Sequence, residues 1–188
     1  MHGYSFGKHT RILLVMLFSL VCSNFALADK LSAVKPFMGY FKGTADDRLQ
    51  DELVRRSMDV RITPLEDDEG FRVEWGTMIT GQDGVNQRKS SDIEFYTTKR
   101  KGIFESGMKT NIFGKKIPLN PLKGEPFVWC KIEGNTLIIY SMVVNDAGAP
   151  DIQIYSRKLI RQGLELDYRR QIGGEEVRSV HGYLKRLE

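Results

Sequence analysis

Six arginines, Arg56, Arg61, Arg72, Arg157, Arg169 and Arg170, fall inside stretches of alternating apolar residues, where such patterning turns a polar side chain outward. Two of them break the rule. Arg56 shares a parity with Met58 and Val60, and Arg170 shares one with Leu166 and Tyr168, so each either emerges into solvent at a strand end or is expected to point into the interior. A guanidinium held there needs an anion, because an unpaired buried charge is costly. Asp59 or the head group of a ligand would serve. Trp75, Trp129, Tyr140 and Tyr168 are the aromatic surface expected to line the same interior, since apolar pockets combine aromatic walls with a few polar groups. In the alternative they fill a solid core, as side chains do in most small barrels.

Catalytic chemistry finds few parts. His181 stands in "SVHGYL" with no Gly-x-Ser-x-Gly elbow in the chain. Cys130 lies in the hydrophobic run "FVWCKI", where burial raises a thiol's pKa and makes it a small core residue. The carboxylates of "TADDR" and "EDDEG" fall in expected turns, and no glycine-rich phosphate loop follows a strand. We therefore expect no catalytic residue and no cofactor, and the reading leans away from an enzyme.

The amino terminus sets the compartment. "MHGYSFGKHTR" is a basic leader, "ILLVMLFSLVC" an apolar run, and Ala26, Leu27 and Ala28 put small residues at the end of it. This is the pattern of a signal peptide over residues 1–28, cleaved between Ala28 and Asp29, so the remaining chain, residues 29–188, is expected to be periplasmic or secreted. Lys8 and Arg11 leave with the leader, and the net charge falls from +4 to +2. Charge so balanced argues against a nucleic-acid surface. Of the histidines and cysteines only His181 and Cys130 remain, too few for a zinc site and for any internal disulfide. No metal is expected, and the protein is taken to be a monomer.

One stretch, "SGMKTNIFGKKIPLNPLKGEP", runs without strand alternation and holds three prolines and four lysines. Loops of that length inside a compact domain are usually functional or disordered. Lys109, Phe113, Lys115 and Lys116 are expected to form a lid or a surface-binding loop, the latter making peripheral contact with an anionic membrane. An inert crossover is the alternative.

The elements that must position these residues are short strands. Phe71, Val73, Trp75 and Thr77 alternate cleanly, as do Leu164, Leu166 and Tyr168, and turn chemistry such as "GQDG", "IEGN" and "IGGEE" divides the runs. About ten strands in meander order predict an all-β domain. A single antiparallel up-and-down β-barrel is favoured over a β-sandwich, because closure removes exposed edges. One short helix near residues 46–54 is predicted from Leu49 and Leu53 behind capping-type Thr44 and Asp46, with an acidic hairpin tip as its rival.

Gly39 and Gly43 bracket Tyr40 and Phe41, where glycine lets a strand bend and a neighbouring backbone come close. Gly39-Tyr40-Phe41 resembles the Gly-x-Trp signature on the first strand of lipocalin-like (calycin) barrels, with Phe41 standing where that family has Trp. The resemblance implies a barrel that takes a small apolar molecule through its open end. It also implies a basic residue of the last strand packed over the signature aromatic, for which Arg178, Lys185 and Arg186 are candidates. The expected function is binding of a small hydrophobic molecule, neutral or anionic. The alternative is an envelope interaction protein whose barrel is solid.

Overall fold

The computed structural model describes residues 31–49, 52–66, 69–80, 86–107, 109–110, 116–117 and 119–187. The expected leader and cleavage site lie outside them. The strands are β1 (Gly39–Leu49), β2 (Glu52–Pro64), β3 (Gly70–Thr80), β4 (Asn86–Thr97), β5 (Ile103–Ser106), β6 (Lys109–Thr110) and β7 (Lys116–Ile117). They continue as β8 (Phe127–Glu133), β9 (Thr136–Val144), β10 (Pro150–Ile160), β11 (Gly163–Ile172) and β12 (Glu175–Arg186). All but β6 and β7 close into one antiparallel barrel in the order β1-β12-β11-β10-β9-β8-β5-β4-β3-β2. This is the expected ten-stranded up-and-down barrel and not the sandwich. Its tight turns use the residues that turns demand: Gly173 and Gly174, with φ of 59° and 95°, form the two-residue link from β11 to β12.

The helix expected near residues 46–54 is replaced by strand. β1 runs through Leu49, β2 starts at Glu52, and those two residues face each other across the ladder. Thr44 and Asp46 pair with β2 and β12 instead of capping a helix, because pairing on both sides from Phe41 to Leu49 satisfies the backbone there, which helix propensity over a few residues cannot match. A 3-10 turn at Lys35–Phe37 precedes the barrel.

The two ends of the barrel differ. At the end where β1 and β3 begin, the interior is solid: Phe37, Phe41, Ile62, Phe71, Phe95, Phe104, Leu164 and Leu184 are all at most 1% exposed. Phe71 stacks on Phe95 at 5.3 Å and meets Phe104 edge-on at 5.0 Å. Val34 and Phe37 of the leading turn belong to this cluster and close it from below. Of the three basic candidates on the last strand, Arg186 covers the signature position, its guanidinium 4.5 Å from the Phe41 ring centre. The same group donates to the carbonyls of Met38 and Pro36, which ties the turn to the end of the chain.

Gly43 is needed where β1 meets β12. A Cβ there would lie 2.1 Å from the Tyr183 carbonyl oxygen, a backbone atom that cannot step aside. Gly43→Ala is expected to cost about 2–3 kcal/mol, as overpacking does in tight interiors, and a lowered urea midpoint would show it.

Candidate ligand cavity

The other half of the barrel is hollow. A cavity of about 320 Å³ opens at the end where β2 and β4 begin, walled by Met58, Trp75, Tyr155, Leu166, Tyr168 and Val180 and by several charged groups. Strand β10 shows its layers, because alternate residues face inward: Asp151 near the mouth, then Gln153, Tyr155, Arg157, and finally Leu159 against the solid half. Tyr155 stands 4.8 Å from Tyr168 and 5.2 Å from Trp75, ring to ring. Both phenol hydroxyls donate to Gln153 Oε1, at 2.7 Å from Tyr155 and 3.3 Å from Tyr168. Burial pushes the Tyr155 phenol up to about 12, so it stays neutral at ordinary pH.

Near the mouth the charges are paired. Asp47, 1% exposed, accepts from Arg56 Nε at 2.5 Å and from Arg178 Nε and Nη2 at 2.8 and 2.5 Å. Burial works against its ionised form, but the bonds from Arg178 and Arg56 outweigh it and hold the carboxyl below the usual carboxylate range. Arg170 Nη2 lies 2.6 Å from Asp151 Oδ2.

Deeper in, Arg157 is different. It is 1% exposed, and neither Nε nor Nη1 has a protein acceptor. Its guanidinium carbon sits 5.0 Å over Trp75 and 5.9 Å from the Tyr155 ring centre. Burial lowers its pKa to about 10, which leaves it charged at neutral pH.

Of the residues singled out from the sequence, Trp75, Tyr168, Arg56 and Arg170 line this cavity. Trp129 and Tyr140 do not: they stack on each other at 4.9 Å on the outer face, while Val128, Cys130, Leu137 and Ile139 take the inward places. Both parities of β8 and β9 are apolar, so alternation could not tell inside from outside, and compact aliphatic residues fill the interior there. Phe127, 5.5 Å from Trp129, extends this outer aromatic strip and is 45% exposed. Asp59 is not the partner of Arg56; it binds Arg88 at 2.7 Å.

Arg157, expected to point outward, points in. The misleading signal was the pair Ile152 and Ile154, which lie on the outer side of β10 opposite Met142 and Tyr140. The signal that finds it is the shared parity of Tyr155, Arg157 and Leu159.

Lys109 and Lys116 fall in the small β6–β7 hairpin, while Phe113 and Lys115 lie outside the described residues. Cys130 is fully buried, and burial drives its thiol pKa strongly upward. His181 is on the outer face, with Nδ1 2.8 Å from Asp167. Together with Glu165 these side chains gather three ligand-type atoms within 4.8 Å, but Glu165 is engaged by Lys158 at 3.3 Å. Neither models of known protein families nor curated protein sequences match the chain. The cavity's role is therefore argued from its own geometry.

Proposed function

We propose that the protein is a binding protein that holds one small, largely hydrophobic molecule, neutral or anionic, in the open half of its barrel. The cavity between Trp75, Tyr155 and Tyr168 carries this reading, because its volume and its mixed aromatic and polar walls are those of a small-molecule site. Affinity would come from apolar ligand surface removed from water, at about 25 cal/mol per Å². Arg186 over Phe41 supports a lipocalin-like relationship. β5 ends and β8 begins at the mouth end of the barrel, which supports a gating role for the basic segment between them. In this reading the leader sends the protein to the periplasm or out of the cell. A second reading, an envelope interaction protein, is favoured by the outer strip of Phe127, Trp129 and Tyr140.

The test uses N-phenyl-1-naphthylamine, an uncharged dye that fluoresces when taken out of water. The wild type and Trp129→Ala are expected to bind it alike. Trp75→Ala is expected to bind about tenfold more weakly, the loss of about 1.4 kcal/mol of contact. No binding to the wild type, or an equal loss in both variants, would remove the cavity as the site and shift weight to the second reading.

A further inference from the structure

The cavity's arginines divide into two kinds. Arg56, Arg170 and Arg178 each hold a carboxylate of the protein, Asp47 or Asp151. Arg157 holds none: among the described residues it makes no ion pair, and two of its nitrogens lack a protein acceptor while being shut off from the surface. Its rings help, since a desolvated cation over an aromatic face is attracted to it. They do not satisfy N–H groups that lie in the guanidinium plane, and an unpaired buried charge is among the costliest arrangements a protein keeps.

We propose, resting on the binding reading above, that Arg157 is the anion anchor of the cavity and that the ligand is a compact monocarboxylic acid seated head first. Its carboxylate pairs with the Arg157 guanidinium at the inner end, and its apolar body lies among Trp75, Tyr155 and Tyr168.

Position, size and charge all point the same way. Arg157 faces Leu137 and Leu166 across the ladders, and the next inward residue of β10, Leu159, already packs against the solid core. The guanidinium is therefore the last polar group a ligand meets on its way in. A planar fork of N–H donors suits a carboxylate, which can accept two of them side by side. The cavity's 320 Å³ is room for about ten waters at ~30 Å³ each. That fits an acid with a chain of roughly ten carbons, or an aromatic acid of similar bulk, better than a long-chain lipid. Five basic side chains and Asp47 line the cavity, with Asp151 held by Arg170 at its mouth; five cations against two carboxylates favour the approach of an anion.

The experiment is displacement of N-phenyl-1-naphthylamine at pH 7.5 by decanoate and by decanol, which share a chain and differ in the head. Decanoate is expected to displace the dye at a concentration at least tenfold lower than decanol. In Arg157→Met that difference should vanish while the dye still binds, and in Arg157→Lys part of it should return. Equal displacement by acid and alcohol in the wild type would overturn the anchor but leave the hydrophobic site standing. A preference for the acid that survives in Arg157→Met would overturn it too, placing head-group recognition at the arginines of the mouth. A wild type that does not bind the dye would take down the binding reading and this inference with it.

Discussion

Arg157→Met is expected to stabilise the ligand-free protein by about 1–4 kcal/mol, the range in which buried charges give way to apolar residues of similar volume. The side chain is 1% exposed and its Nε and Nη1 have no protein acceptor, so removing it leaves no partner carboxylate stranded. Methionine is flexible enough to fill the space between Trp75 and Leu166. For a chain of this size each kcal/mol moves the melting temperature by about 2–4 °C, so a thermal melt followed by circular dichroism should rise by several degrees. A lower melting temperature would mean that the protein itself satisfies Arg157. Stability gained together with head-group selectivity lost is the signature of a residue kept for binding.

Asp47→Ala is expected to act in the opposite direction, by about 2–4 kcal/mol. Breaking one side of a buried pair strands the other, and here two guanidinium groups lose their acceptor at once. Arg56 and Arg178 are 17% and 34% exposed, so water takes back part of the cost and the upper end of the range is not reached. The pH dependence has a definite sign. Because the folded carboxyl titrates below its usual value, its contribution is fully present above the unfolded value of about 3.9 and is lost as pH falls through the lower folded one. Denaturant melts between pH 6 and pH 3 should therefore show the wild type converging on Asp47→Ala in acid. A gap that stays constant over that interval would mean the carboxylate's charge is not what holds the arginines.

Much of this architecture can be read from alternation. Phe71, Val73 and Trp75 face inward as their period of two requires, and the same holds for Leu164, Leu166 and Tyr168, with Arg170 carried along into the lining. Period two says that a strand has two faces; it does not say which face is inside when both are apolar or when the inner one is polar. Trp129 and Tyr140 fell to the first ambiguity and Arg157 to the second. The cavity makes the inner face of β10 read Asp, Gln, Tyr, Arg, the pattern of a solvent side, while Ile152 and Ile154 face out. The pairing of Asp47 with Arg56 and Arg178 was hidden for another reason. Asp47 and Arg56 come from the neighbouring strands β1 and β2, but Arg178 comes from β12, and only closure of the barrel brings it to them.

That closure also governs how the chain reaches its native state. Asp47 and Arg178 are 131 residues apart in the sequence, and the ladder between β1 and β12 runs from Phe41 opposite Arg186 to Leu49 opposite Arg178. Contacts so distant in sequence are formed late and at a large loop entropy, which makes for slow, high-contact-order folding. Until β12 is in place the sheet has two raw edges, β1 and β11, and no floor, because Arg186 is not there to hold the turn beneath Phe41. Closure is thereby deferred until β12 is available, and the first strand of the barrel waits for the last.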